Sequence, residues 1–334
     1  MFITMKHYTW LTLAFTSLLA QAQITPRADL QQQMQKEETA FLKAMLPGLQ
    51  HKQMIAVRQA MQGNDAALSQ IRASRNVAPI LPSDIKSTPL TPTLTLFQSA
   101  EPKQVLRPVL LYLHGGGWCL GSINSCARFC AAVAKKANCY VVALNYRLAP
   151  QHSYPAPLDD CRMAFKYLKQ HAGIFGGDTT RISIGGDSAG GNLAIATAMT
   201  EPSTYSIVPI YPVTELFTRS TPSWQSYAKG YGNDAELLEA FNEAYAAGQQ
   251  QHSLVSVSLA TDEQLQQLPP VLLLSAGHDI LYDQTAAWAK RLLELKHPLQ
   301  YHVFPTATHL FITVPGQPTA FSEAVKLTAD FLQH

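Results

Sequence analysis

The sequence predicts an α/β fold: a mostly parallel central sheet with helices on both faces. Three features point to it. From Val109 onward, short apolar runs alternate with stretches whose apolar residues recur every three to four positions. Two of the apolar runs stop at glycine clusters, at Leu113 and at Ile184, as strands do when they enter tight turns. The runs are apolar on consecutive residues, the pattern of strands buried on both faces rather than of a half-exposed antiparallel sheet.

The elements follow in order. Ala28 to about Ser74 reads as helical, with Leu30, Met34, Phe41 and Met45 and then Met54, Ile55, Val57 and Met61 on the apolar side, and a break at Pro47-Gly48. A linker containing Pro79, Pro82, Pro89 and Pro92 excludes central strands there. Thr93 to Gln98 alternates as a strand, and Val109 to Leu113 is the next. Helix Asn124 to Lys136 then leads to strand Tyr140 to Leu144, and helix Leu158 to His171 to strand Arg181 to Ile184. Helix Ala189 to Thr200 is followed by strand Tyr205 to Ile210. The alternation lapses between Pro212 and Pro270, where Trp224, Tyr227, Tyr231 and a helix from Asp234 to Ala247 suggest an insertion above the sheet. Strand Val271 to Ser275, helix Tyr282 to Leu295, strand Gln300 to Phe304 and a helix from Thr319 to Leu332 complete the series.

Composition narrows the function. The 334 residues are 47% hydrophobic and 14% charged, with 25 Lys and Arg against 23 Asp and Glu. That hydrophobic content excludes disorder, and a net charge of +2 supplies no basic surplus for nucleic acid. The charged fraction is below the roughly 25% usual for soluble domains, as expected of a large apolar core or a membrane protein. At the N-terminus, Lys6 and His7 precede an apolar run from Tyr8 to Ala20 that is too short to span a bilayer and ends in Ala20-Gln21-Ala22. Residues 1–22 therefore read as an export signal cut after Ala22, giving a periplasmic or secreted protein without stable membrane insertion. Cys119, Cys126, Cys130, Cys139 and Cys161 fit neither zinc spacing nor a dense disulfide framework, and Cys126 and Cys130 share a helix face as buried thiols. No metal and no cofactor is expected, and oligomeric state is not legible.

The chemistry concentrates at Gly186-Asp187-Ser188-Ala189-Gly190, between a strand and a helix. A G-x-S-x-G in that context is a sharp turn that lifts a serine hydroxyl above the sheet at a helix N-terminus. A hydroxyl is a weak nucleophile and needs a base, and the base needs an orienting carboxylate. Asp279 and His309 follow Ser188 in the required order, each after an apolar strand. Asp283 is the rival acid but lies a turn into a helix, while His297 and His302 are rival bases at the wrong end of a strand and inside it. The glycines of His114-Gly115-Gly116-Gly117-Trp118 end strand Val109 to Leu113, so the N–H groups of Gly115 and Gly116, with that of Ala189, are expected to form an oxyanion hole. His114 reads as a brace for that loop. Trp118, Asp187, Tyr211 and Leu310 are the expected pocket residues.

His114 to Trp118, Asn145-Tyr146-Arg147-Leu148-Ala149-Pro150 and Gly186 to Gly190 together resemble the hormone-sensitive lipase group of α/β-hydrolases, esterases with an HGGG oxyanion motif. The resemblance runs from about Leu110 to the C-terminus. It implies the α/β-hydrolase fold, an acid in a D-x-L-x-D segment matched here by Asp279 to Asp283, and a helical cap. That cap would be residues 23 to about 80 with an insertion at about 213–268, so the chain divides into 1–22, a helical cap segment and linker at 23–92, and a catalytic domain at 93–334. This sequence departs from the family pattern at Gln151, at Leu310 after the histidine, and at Thr306-Ala307-Thr308 before it, which leaves the triad in place and alters the pocket. Asp160 matches a family position and reads as a structural carboxylate near a helix start. The expected function is hydrolysis of short acyl esters, acetyl above all, on a small molecule or an oligosaccharide. A serine peptidase of the same fold and a non-catalytic ligand-binding homologue are the alternatives; the presence of His309 argues against the latter.

Overall fold

The computed structural model describes residues 23–99 and 105–334, so the export signal expected at 1–22 lies outside the described residues. The elements in chain order are β1 (Gln23–Ile24), α1 (Ala28–Ala44), α2 (Leu49–Met61), α3 (Ala66–Arg75), β2 (Ile85–Pro89), β3 (Leu94–Ser99), β4 (Arg107–Leu113), α4 (Ile123–Ala137), β5 (Tyr140–Leu144), α5 (Ala156–His171), β6 (Gly177–Asp187), α6 (Ala189–Thr200) and β7 (Ile207–Ile210). The insertion contributes α7 (Pro222–Ser226), α8 (Ala235–Ala246) and α9 (Asp262–Gln266), and β8 (Val271–His278), α10 (Tyr282–Glu294), β9 (Leu299–Thr308) and α11 (Pro318–Leu332) close the fold.

Among the described residues the strands form one sheet in the order β1-β9-β8-β7-β6-β4-β5-β3-β2. From β1 to β5 every neighbouring pair is parallel, while β3 runs antiparallel to both β5 and β2. The period of two along β4 divides its side chains between the faces: Val109, Leu111 and Leu113 enter one apolar cluster, Leu110 and Tyr112 the other. Helices α4 and α11 supply Phe129, Val133, Ala324 and Leu332 to the second cluster; α5, α6 and α10 supply Phe165, Leu193 and Trp288 to the first. Every residue of α6 from Ala189 to Ala198 is buried, so this stretch of the helix has no solvent-facing side.

The expected boundary between residues 92 and 93 cuts through this sheet and is corrected. The proline-rich linker contains β2, which pairs with β3 at the outer edge, where Pro89 can end a strand without removing a bond from a central ladder. At the other edge β1 pairs with β9, so the N-terminal arm contributes strands to both edges. The arm is also broken twice, at Pro47-Gly48 and again at Gly63-Asn64. Its helices cover the carboxyl ends of the strands together with the insertion. Ala56, Val57 and Ala60 of α2 share an apolar cluster with Leu237 and Phe241 of α8, and Arg58–Glu243 (2.9 Å) and His51–Glu236 (3.0 Å) border the contact. Both pairs are solvated, so the packing supplies most of the hold.

Candidate active site

Sheet register brings the first two groups together. Strands β8 and β9 are parallel neighbours with His278 opposite Thr308, so the residues that follow, Asp279 and His309, leave the sheet side by side. Both strands run farther than the apolar runs suggest, to His278 and Thr308. His309 Nδ1 lies 2.7 Å from Asp279 Oδ2, and Asp279 Oδ1 accepts the Leu281 N–H at 3.0 Å. The third group comes from β6, whose last residue Asp187 pairs with Ile210 of β7. Ser188 follows in a strained conformation, φ 57° and ψ −118°, and its Oγ lies 2.8 Å from His309 Nε2. With Nδ1–H donated to the carboxylate, Nε2 is the basic nitrogen facing the hydroxyl. Asp279 is 1% exposed and His309 6% exposed, which strengthens their mutual attraction.

The rival residues are engaged elsewhere. Asp283 Oδ2 accepts the Ser223 N–H at 2.6 Å, tying α7 to the start of α10. His297 Nε2 is bonded to the Leu268 carbonyl at 2.8 Å, and His302 lies within β9.

The oxyanion assignment is corrected at one position. The Gly115 N–H donates to Asp187 Oδ1 at 3.1 Å, and the same oxygen accepts the Tyr112 hydroxyl at 3.0 Å, so Gly115 is committed to the loop's own support. The next two peptides face the other way. In a trans peptide the C=O and the following N–H point oppositely. His114 Nδ1 donates to the Gly115 carbonyl at 2.8 Å, which turns the Gly116 N–H away. The Gly116 carbonyl accepts Leu120 N–H at 2.8 Å, which does the same for Gly117. Gly116 (φ 113°) and Gly117 (φ 60°) need glycine for these turns, and both border the cavity beside Ser188. The N–H of Ala189, first residue of α6, has no carbonyl one turn earlier to bond. Gly116, Gly117 and Ala189 are thus the donors the geometry offers to one oxygen.

The loop is braced by neutral and charged partners. Burial pushes the His114 imidazole down to about 4, so it is neutral at ordinary pH, and it stacks on Tyr146 (4.3 Å), whose hydroxyl donates to the His114 carbonyl at 2.6 Å. Burial pushes the Asp187 carboxyl up to about 6 against the opposing pull of Tyr112 and Gly115. In the Asn145 to Pro150 segment, Asn145 Oδ1 accepts the Ile123 N–H at the start of α4 (2.7 Å). Arg147 forms a forked pair with Asp160, Nη2 to Oδ1 at 2.8 Å and Nε to Oδ2 at 2.9 Å. Asp160 is therefore structural as expected, though as an anchor for Arg147 rather than as a helix cap.

A cavity of about 350 Å³ opens over Ser188, near the lower end of the roughly 300–1,000 Å³ usual for small-molecule sites. Of the expected pocket residues, Asp187, Tyr211 and Leu310 line it; the Tyr211 ring is 4.7 Å from that of His309. Trp118 does not. It is fully buried against Tyr245, with rings 4.2 Å apart and nearly parallel, and belongs to the core beneath the loop. Sequence reasoning missed the cap's share of the wall: Phe41, Gln53, Arg75, Asn233, Leu237 and Phe241. Apolar periodicity showed that these segments were helical, but carried no signal for which turn meets a serine far away along the chain. It also missed Arg72 of α3, whose guanidinium donates to the Cys119 carbonyl at 2.8 Å and the Ala149 carbonyl at 2.7 Å, clamping cap to oxyanion loop. Glu38 of α1 pairs with His278, next to Asp279, and Tyr227 of the insertion lies 5.3 Å from the same ring.

A family model described as the α/β-hydrolase fold matches residues 110–313, a span that holds all three motifs, Asp279 and His309. The chain belongs to this α/β-hydrolase family. The α/β-hydrolase is 34% identical over 230 residues to an ethyl acetate hydrolase of Pseudomonas putida, covering 67% of this chain and 72% of that protein. It is 33% identical over 226 residues to the carboxylesterase NlhH of Mycobacterium tuberculosis, covering 65% and 70%. A crystal structure of a thermostable esterase from Pseudomonas putida ECU1011 shares its fold, with TM-score 0.75 over 89% of this chain and 96% of the other at 23% identity. This α/β-hydrolase is a serine ester hydrolase, of the group that its sequence motifs resemble. All five of its cysteines are free and buried, and Cys126 Sγ and Cys130 Sγ lie 3.7 Å apart on α4. Among the described residues no helix is long and apolar enough to cross a membrane.

Proposed function

We propose that this α/β-hydrolase is a carboxylesterase for small esters of short acyl chains, acetyl foremost, acting through an acyl-enzyme on Ser188. The observation that carries the chemistry is the unbroken line Ser188 Oγ, His309, Asp279, at 2.8 and 2.7 Å. His309 Nε2 takes the hydroxyl proton as Oγ attacks the ester carbonyl, and Asp279 stabilises the imidazolium that forms. The N–H groups of Gly116, Gly117 and Ala189 receive the oxyanion; such donors are each worth about 3–4 kcal/mol in comparable sites. His309 then returns the proton to the leaving alkoxide, and water activated by the same nitrogen releases the acid.

The short-acyl reading rests on the cavity's size and its roofing by α2 and α8. A ladder of p-nitrophenyl esters tests it: kcat/KM is expected to peak at the acetyl to butyryl members and to fall roughly tenfold or more beyond about eight carbons. A preference for the long chains contradicts it. Acetylated xylo-oligosaccharides belong in the same series, because the carboxamides of Gln53 and Asn233, both buried at the cavity wall, suit carbohydrate hydroxyls. Deacetylation of exported carbohydrate is the narrower form of this reading. It rests further on the apolar run and Ala20-Gln21-Ala22, and a mature chain beginning at Gln23 by N-terminal sequencing is its expected sign.

A further inference from the structure

The cavity over Ser188 is unevenly charged. Among the described residues that border it, Arg75 is the one with a permanently cationic side chain, and Asp187 the one with a carboxylate. They do not neutralise each other, since Asp187 is turned to Tyr112 and Gly115. Arg75 has no hydrogen bond or ion pair among the described residues, although the other arginines of α2 and α3 are engaged: Arg58 with Glu243, Arg72 with the Cys119 and Ala149 carbonyls. Desolvation alone moves the Arg75 guanidinium, downward, and no charged neighbour adds to it or opposes it. Arg75 is exposed to solvent as well as to the cavity, so its guanidinium sits in water at the rim, open to an anionic group of a bound ester.

Its position is also fixed. Arg75 is the last residue of α3, and Asn76, immediately after, accepts Ser122 Oγ and Asn124 Nδ2 at Oδ1, both at 2.8 Å. The end of α3 is thereby pinned to the start of α4, so the backbone carrying Arg75 is held at the rim that Gly121 and Ser125 also border. A planar fork of donors held at one end of a cavity, with the nucleophile in the same cavity, matches a carboxylate better than a hydroxyl or an amine.

We propose that Arg75 selects esters whose end remote from the scissile bond carries a carboxylate. The proposal rests on the reading that Ser188 hydrolyses esters bound in this cavity. The test compares matched pairs that differ by one charge. These are 4-acetoxybenzoate with its methyl ester, which place the charge on the leaving group, and mono-4-nitrophenyl succinate with 4-nitrophenyl methyl succinate, which place it on the acyl group. In at least one pair the wild type is expected to favour the acid by about tenfold in kcat/KM, with the preference shrinking as salt rises from about 50 to 500 mM. Arg75→Gln brings that ratio to about one or below, and Arg75→Lys retains part of it. Because Arg75 bonds to nothing among the described residues, the Arg75→Gln melting temperature is expected to stay at the wild-type value, which separates lost recognition from lost folding. A ratio that Arg75→Gln leaves unchanged in both pairs overturns the proposal, even with ester hydrolysis intact. Hydrolysis of the neutral esters that persists in Ser188→Ala overturns the underlying reading instead.

Discussion

Replacing Asp279 with asparagine is expected to lower kcat by about 10⁴-fold, whereas Asp283→Asn lowers it by less than about tenfold. The two carboxylates lie four residues apart in one D-x-L-x-D segment, and their surroundings separate their roles. Asp279 is buried, with one oxygen 2.7 Å from His309 Nδ1 and the other on the Leu281 N–H. An amide there presents an N–H to the imidazole or, if flipped, to the Leu281 N–H. The first orientation favours the tautomer with a proton on Nε2, and the second sets two donors against each other at Leu281. Either also leaves the imidazolium without its counter-charge. Asp283 instead accepts the Ser223 N–H at the start of α7 (2.6 Å), so its loss costs about 1–2 kcal/mol of stability and little chemistry. Steady-state kinetics with denaturant unfolding of both variants check this. Equal losses of kcat, or the larger loss in Asp283→Asn, would overturn the assignment of the acid.

Gly190→Ala is expected to cost about 3 kcal/mol or more of stability and to reduce kcat by roughly a hundredfold. The reason is space. A Cβ at Gly190 would overlap the Leu113 carbonyl, and the carbonyl of His114 stands 2.7 Å from the same point. That contact sets the separation between the nucleophile's helix and the strand carrying the oxyanion loop, so relief of the overlap moves one catalytic part from the other. Gly173 supplies the control. No atom stands within 4 Å of a Cβ there, and Gly173→Ala is expected to alter stability by less than about 1 kcal/mol. Melting curves and kinetics on the two alanine variants read out both effects, and a Gly190→Ala protein as stable and active as Gly173→Ala would contradict the close-packing account.

The parts of this site that were legible in the sequence are those tied to strand ends. Ser188, Asp279 and His309 each follow a buried strand of the same sheet, and a buried parallel strand announces itself as a consecutive apolar run. The oxyanion loop was legible as a glycine cluster, but not which of its N–H groups stay unbonded. That depends on Asp187, seventy-two residues beyond Gly115, reaching back to take the first of them. Trp118 misled for a related reason: an aromatic beside a glycine loop looks like a pocket wall, and its stacking on Tyr245 is a long-range contact that no local pattern reveals. β2 stayed hidden among prolines because an edge strand needs one bonded side alone. The cap's contribution was hidden for the same reason as that of Trp118, since Phe41, Gln53 and Arg75 meet the cavity through tertiary packing of helices whose sequence pattern specifies a buried face and nothing about what lies beneath it.

In the proposed reaction Ser188 becomes covalently acylated. Its most direct test is intact-mass and peptide mass spectrometry after incubation with a p-nitrophenyl phosphonate ester, which phosphonylates an activated serine and cannot be released by the water that would deacylate an ester. The account predicts one adduct per chain, on the peptide containing Gly186 to Gly190, with loss of activity in proportion and no adduct on Ser188→Ala. An adduct on another residue, or full esterase activity in a protein whose Ser188 is replaced, would contradict it.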